Sequence, residues 1–163
     1  ASNVPAILQT SQKVDRAFRA GALATGATVQ ITTNPGYLPA KYDDLLTELY
    51  RHNAASLIGD DNIIRLSHGT GCTDMGDVSQ IVAAIQPSAN ATSGDGHGID
   101  YVVDNYDLAV TQAGKAMGMT VIDLLSKNGE KAKNISGSFH ASMTIDEYLR
   151  RMRSFRSNST YED

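Results

Sequence analysis

The sequence predicts a mixed α/β fold, because amphipathic helical segments alternate along the chain with short apolar segments that have strand character. The strongest helical pattern covers residues 105–127, and the two apolar segments are residues 62–66 and 83–86. Glycine-rich turns at 69–76 and 94–98 follow these segments. Since ligands of such folds bind in loops at the carboxyl ends of strands, we expect both turns to lie at one edge of a sheet.

The composition excludes several classes of protein. The chain has 163 residues, is 41% hydrophobic, and contains no apolar run of membrane-spanning length. Its net charge of −4 argues against a nucleic-acid partner, and the arginines at 150, 151, 153 and 156 are interpreted as a solvated helix face. A single cysteine and the lack of a signal-peptide pattern in the first residues predict a cytoplasmic protein without disulfides or a membrane partner.

The first predicted helix covers residues 5–25. Ser2 or Asn3 can cap it, Pro5 suits its first turn, and Gly26 suits the left-handed residue after it. A strand follows at residues 28–32, where β-branched residues alternate with others. One helix and one strand are only half of a sheet structure, and the break at 34–39, with two prolines and a glycine, marks a predicted domain boundary.

The remaining elements follow from apolar periodicity and from the positions of glycine. The predicted helices are 42–58, a short one at 78–82, 105–127 with a stop at Asn128-Gly129, and one that begins at the capping box of Thr144. The predicted strands are 62–66 and 83–86, residues 87–98 form a loop, and the tail 157–163 is expected to be frayed.

His97 is the first candidate for chemistry. It stands between Gly96 and Gly98, where little side-chain bulk would block a metal ion. Imidazole is the commonest metal ligand in proteins, and Asp95 or Asp100 could orient its second nitrogen. Spacing alone favours a loop histidine that faces water, because one histidine does not define a metal site.

Residues 71–74, Gly71-Cys72-Thr73-Asp74, are the second candidate. Consecutive backbone N–H groups in a glycine-rich turn before a helix can bind a carboxylate, although helix capping by Thr73 or Asp74 is the simpler interpretation. His68 just before this loop could also face a cleft. A nucleophilic Cys72, activated by a helix N-terminus and His68, is a further alternative, but no thiol-enzyme motif surrounds it.

Four segments of the chain, in this order, carry a family resemblance. They are VDRAFRAGALA at residues 14–24, PGYLP at 35–39, GCTDMGDVS at 71–79 and GHGIDY at 96–101. Together they resemble the C-terminal portion of amidohydrolases of the aminobenzoyl-glutamate-utilisation type, within the aminoacylase and carboxypeptidase-G superfamily of metallopeptidases. The resemblance covers the chain to about Phe155.

The resemblance implies an α/β sandwich catalytic domain with an inserted α+β, ferredoxin-like lid that usually dimerises. Residues 1–33 would then be the last helix and strand of the lid. Residues 34–130 would be the C-terminal part of the catalytic domain, and residues 131–163 a C-terminal helix and tail. The implied partners are a small-molecule amide substrate, the missing N-terminal part of the same protein, and a second copy in a homodimer.

The resemblance also implies a reaction. Such enzymes hydrolyse the amide bond of an N-acyl amino acid or an aminobenzoyl-glutamate-like substrate with two zinc or manganese ions and a glutamate as general base. His97 matches the family's last metal ligand. Gly71, Cys72, Thr73 and Asp74 match a loop that binds the substrate carboxylate, with Thr73 as a hydrogen-bond partner. The family usually has serine at the position of Cys72 and often proline at that of Ala83, so the resemblance does not extend to the detailed shape of the pocket.

The chain does not contain the other elements of such a site. A catalytic metal needs about three protein ligands, and here only His97 is a credible one. We therefore predict that the chain alone is inactive. The alternative is a non-catalytic binding or assembly module derived from the same fold. A natural product much longer than 163 residues would favour the enzyme, whereas one of this length would favour the module.

Overall fold

The computed structural model of the chain describes residues 3–65 and 71–162. Its described part is mixed α/β, with helices and two small antiparallel sheets of two strands each. The chain divides into two compact units. The first unit takes its residues from Ala1–Lys41, His68–Ile81 and Ala141–Asp163, and the second from Tyr42–Ser67 and Val82–His140.

The described residues of the first unit form three helices and one sheet. Its elements are α1 (Val4–Thr25), β1 (Val29–Thr33), α3 (Met75–Val78), α5 (Ile145–Ser154) and β4 (Ser157–Tyr161). The predicted ends of α1 are confirmed. The Asn3 side chain accepts a hydrogen bond from the Ala6 N–H, and Gly26 ends the helix with φ of 63°.

Strand β1 pairs with a strand that the sequence did not predict. Residues 157–161, expected to be frayed, form β4, which runs antiparallel to β1 with Val29 opposite Tyr161 and Thr33 opposite Ser157. The guanidinium of Arg19 on α1 also lies 4.1 Å from the centre of the Tyr161 ring, a cation–π contact. The tail is ordered because pairing with β1 gives its backbone polar groups partners that a frayed tail would find only in water.

Within its described part, the second unit has two long helices and a short hairpin. Its elements are α2 (Asp44–Ile58), a 3₁₀ turn (Asp60–Asn62), β2 (Thr92–Ser93), β3 (Val102–Val103), a π-helical segment (Asp107–Gln112) and α4 (Ala113–Ser138). The predicted stop at Asn128-Gly129 is confirmed as a break within α4, because Lys127, Asn128 and Gly129 have φ of 51°, 59° and 73°. The helix that resumes after this break was not predicted.

Helices α2 and α4 pack together around a small buried polar group. Asn53 is only 4% exposed, and its side-chain amide donates to Thr120 Oγ1 at 3.2 Å and to Asp123 Oδ2 at 3.1 Å. Thr120 in turn donates to the carbonyl oxygen of Ala116, itself 2% exposed. The buried polar atoms of this interface therefore satisfy one another.

Two predicted strands and one predicted helix are wrong in type or position. Residues 60–62 form the 3₁₀ turn and 63–65 are not a strand, while Leu66 lies outside the described residues. Residues 83–86 are also not a strand, although the Ala84 carbonyl accepts a hydrogen bond from the Asp43 N–H at 3.0 Å. The helix expected at 78–82 lies earlier, at Met75–Val78. An apolar run signals burial, as at Ala84, but does not specify a ladder partner.

Among the described residues, no helix combines the length and the apolar character needed to span a membrane.

Replacing Asn53 tests the packing of α2 on α4. We expect Asn53→Ala to lower the free energy of unfolding by about 1–3 kcal/mol, because it removes a buried amide that makes two hydrogen bonds. Asn134→Ala, at an exposed position of α4, is the control and should change it by no more than about 0.5 kcal/mol. Urea unfolding measures both variants, and equal stabilities would contradict the packing described.

The capping box of α5 predicts that the stability of the fold depends on pH. The Thr144 N–H donates to Glu147 Oε2 at 2.7 Å, and this bond, followed by that from the Thr144 hydroxyl, lowers the pKa of Glu147. Because the pKa is lower in the folded than in the unfolded chain, the carboxylate stabilises the fold above the unfolded pKa of about 4.3 and loses this effect as pH falls.

We therefore expect Glu147→Gln to flatten the acid branch of the stability profile, measured as urea midpoints between about pH 3 and pH 6. The exposed Glu130→Gln variant removes one carboxylate outside the box and serves as the control. A profile of Glu147→Gln that matches the wild type would show that the box does not form.

Candidate functional site

His97 lies in the loop that connects β2 to β3. Its backbone adopts φ of 66°, a left-handed conformation that is uncommon outside glycine, and its side chain is exposed. Two backbone hydrogen bonds hold the turn, from Gly98 N–H to Asp95 O at 2.7 Å and from Tyr101 N–H to Gly98 O at 3.3 Å. The turn therefore presents the imidazole at the surface of the second unit.

Gly94 and Gly98 of this loop lie where a side chain would not fit. Gly94 has φ of 84°, and a Cβ there would lie 2.3 Å from the Asp100 carbonyl oxygen. A Cβ on Gly98 would lie 2.5 Å from Asp100 Oδ1. Asp100 thus closes the loop by lying against both glycines. The expected hydrogen bond from His97 to Asp95 or Asp100 is not formed in the described structure.

His97 is the candidate metal ligand of this loop. Within residues 3–65 and 71–162, no cluster of three or more His, Cys, Asp or Glu side chains is placed to hold a metal ion. His97, the proposed ligand, is accessible and flanked by glycine, so it fits the role of one ligand among several. That the other ligands come from another part of the protein stays a prediction.

The second candidate, residues 71–74, lies in the first unit and immediately precedes α3. Gly71, Cys72, Thr73 and Asp74 are all exposed. Thr73 Oγ1 accepts a hydrogen bond from the Met75 N–H at 3.3 Å, and the Thr73 carbonyl accepts from the Gly76 N–H at 3.0 Å. Thr73 thus accepts the first N–H of α3 in a local turn, whereas Asp74, at the N-cap position, makes no side-chain capping hydrogen bond. His68, Gly69 and Thr70 lie outside the described residues.

The support beneath this loop was not predicted from the sequence. Ser79 is fully buried, accepts a hydrogen bond from the Lys41 N–H at 2.9 Å, and donates to the Gly76 carbonyl at 2.9 Å. Gln80 donates to the Pro39 carbonyl at 2.6 Å. These bonds fasten residues 38–41 to the turn that contains α3.

Asp77 makes the longest-range contacts of this turn. Its Oδ1 accepts from the Leu38 N–H at 2.8 Å, and its Oδ2 accepts from the Tyr148 hydroxyl on α5 at 3.0 Å. Burial, and then the hydrogen bond to Asp77 and its negative charge, raise the pKa of Tyr148. Asp77 thus links α3 to the segment before it and to a helix 71 residues further along the chain.

Cys72 is an exposed free thiol. The described residues contain the thiol but not His68, its proposed activating neighbour, so the thiol-enzyme alternative stays a hypothesis. The two candidate sites belong to different units, with residues 71–74 in the first and His97 in the second.

A zinc titration tests the statement that this chain holds one ligand. We expect weak binding, with no saturation at micromolar zinc, because a single exposed imidazole gives far less affinity than a complete coordination shell. His97→Ala should weaken it further, and His52→Ala, on the exposed side of α2, is the matched control. Tight stoichiometric binding by the 163-residue chain would contradict a one-ligand site.

Comparison of the chain with protein-family models, with curated proteins and with solved structures gave no match.

Proposed function

We propose that this chain is the C-terminal part of a metal-dependent amidohydrolase that acts on N-acyl amino acids or aminobenzoyl-glutamate-like amides. The observation that carries the proposal, beside the sequence resemblance, is an extensive apolar surface on α4 that the described chain does not cover. A helix with apolar residues on opposite faces is normally covered on both. In the complete enzyme, another part of the protein would pack on the exposed face of α4.

The outer face of α4 shows this surface. Met117, Val121, Ile122 and Leu125 are 60%, 53%, 67% and 69% exposed, whereas Ala116 and Thr120, on the side towards α2, are buried. A Cβ built on Gly114 or Gly118 meets nothing within 4 Å. Because glycine has no side chain, another layer of the protein could approach the helix closely at these two positions. In the proposed enzyme this layer is the sheet of an α/β sandwich, contributed by the N-terminal part of the protein.

Helix α1 also exposes apolar residues in the first unit. It has no buried residue, and Val14, Phe18 and Leu23 are 45%, 60% and 67% exposed. The neighbouring β1 has the uncharged sequence Val-Gln-Ile-Thr-Thr and pairs on one side with β4. An uncharged edge strand tends to recruit a further strand. In the proposal, α1 and β1 belong to the lid, which completes its sheet and forms a homodimer.

The two candidate sites would take different roles. His97 would be one ligand of a pair of zinc or manganese ions, for which its exposed, glycine-flanked position is suited. When bound, such ions lower the pKa of a water molecule and polarise the scissile carbonyl. Residues 71–74 would bind the substrate carboxylate through backbone N–H groups and the Thr73 hydroxyl. The general base and the other ligands would come from the N-terminal part.

The proposal places the enzyme in the cytoplasm, since a single cysteine is typical of proteins from reducing compartments. A non-catalytic assembly module is the second candidate, and the same exposed apolar faces of α1 and α4 favour it. The two candidates differ in what the complete reading frame encodes and in whether its product hydrolyses amides.

Expression of the complete reading frame that contains this chain tests the proposal. We expect a longer product that hydrolyses an N-acyl amino acid in the presence of zinc or manganese and loses activity with a chelator. His97→Ala should lower kcat/KM by about 100-fold or more, because losing even an outer-shell partner of a metal site costs about 10–100-fold.

The matched control is His140→Ala, which removes a histidine outside both candidate sites and should leave the rate within about threefold of the wild type. A product without amide hydrolysis that still self-associates would favour the assembly module. Full activity of His97→Ala would exclude a metal ligand at position 97. An activity that is lost when the protein is alkylated but is not affected by chelators would support the thiol alternative at Cys72.

A further inference from the structure

We propose that Asp77 is a positioning residue that holds the loop of residues 71–74 in one conformation by fastening the turn of α3 to residues 38–41 and to α5. The assignment of a substrate role to this loop rests on the proposed function, whereas the fastening does not. Asp77 itself stands outside the loop and acts through its neighbours.

Both oxygens of the Asp77 carboxylate are engaged, each by a different part of the chain. The backbone N–H of Leu38 donates to Oδ1 at 2.8 Å, and Leu38 is 4% exposed. The hydroxyl of Tyr148 donates to Oδ2 at 3.0 Å. Hydrogen bonds to a charged acceptor are stronger than neutral ones, and two of them in different directions fix the orientation of the carboxylate.

The loop and Asp77 are joined by short backbone contacts. The Asp77 N–H donates to the Asp74 carbonyl at 2.9 Å, and the Gly76 N–H donates to the Thr73 carbonyl at 3.0 Å. A displacement of Asp77 therefore moves the carbonyl groups of Thr73 and Asp74 with it. This is the route by which a residue outside the loop controls its shape.

The surroundings of Gly76 leave little freedom for this turn to shift. The Leu38 carbonyl would overlap a Cβ on Gly76, at 1.9 Å, so the two backbone segments are in direct contact. Ser79 and Gln80 add hydrogen bonds to Lys41 and Pro39 on the same side. The Asp77 bonds differ from these because they alone include α5.

A spin label on Cys72, the only cysteine of the chain, reports the loop directly. We expect Asp77→Ala to increase the mobility of the label and to speed amide exchange at Leu38 by about 10-fold, the effect of losing one hydrogen bond to a charged group. Asp77→Asn should restore most of both values, because the amide oxygen can still accept from Leu38 and the amide nitrogen can donate to Tyr148.

Two controls separate local from global effects. Asp104→Ala removes an exposed carboxylate in the second unit and should leave the label unchanged. Amide exchange in α2 should also be unchanged by Asp77→Ala. If Asp77→Ala does not fold, the variants Tyr148→Phe and Asp77→Asn test the positioning role in its place. The first should mobilise the label, and the second should lower the pKa of Tyr148 in an ultraviolet titration, because a nearby negative charge is removed.

Equal label mobility and equal Leu38 exchange in wild type, Asp77→Ala and Tyr148→Phe would overturn the positioning role. The complete enzyme then tests the link to function separately. There, Asp77→Ala should raise KM for the amide substrate more than it lowers kcat, and Asp77→Asn should restore KM. A mobilised label with an unchanged KM would leave the fastening intact and reject the carboxylate-binding role of the loop.

Discussion

The antiparallel pairing of β1 with β4 is the contact on which the first unit depends. It pairs Val29 with Tyr161 and so joins two segments that lie far apart in the sequence into one sheet. Without it, α1 would have little to pack on, since none of its residues is buried even in the complete described chain. Bringing segments so far apart in the sequence together costs conformational entropy. The hydrogen bonds between β1 and β4, the Arg19–Tyr161 contact and the Asp77–Tyr148 hydrogen bond help to offset this cost.

The apolar surfaces that remain exposed connect this architecture to the proposed enzyme. On α4 they lie opposite the face that packs on α2, and on α1 they include Phe18 and Leu23. Single exposed apolar residues are ordinary, but a set that lies on one face of a helix, as on α4, is typical of a surface that binds another part of a protein. This agrees with the proposal that His97 is one ligand of a metal site, because the N-terminal part of the protein would then complete both the core and the coordination shell.

The sequence predicted those features that depend on neighbours a few residues apart. The Asn3 and Gly26 caps, the capping box of Thr144 and Glu147, and the left-handed break at Asn128-Gly129 are all local chemistry, and all four are confirmed. Strand β4 was missed and residues 83–86 were wrongly assigned to a strand, because strand identity depends on a distant partner. At the candidate sites, the exposed turn of His97 followed from its glycines. The role of Asp77 did not, since its partners lie 39 and 71 residues away.

The proposed role of the His97 imidazole is to complete a metal centre whose other ligands come from elsewhere in the same protein. A crystal structure of the complete gene product grown with zinc, with anomalous scattering to locate the metal, tests it most directly. We expect a zinc ion about 2.0–2.1 Å from a ring nitrogen of His97, with its remaining ligands from residues upstream of this chain. A zinc site formed without His97, or a His97 ring surrounded by water, would contradict it.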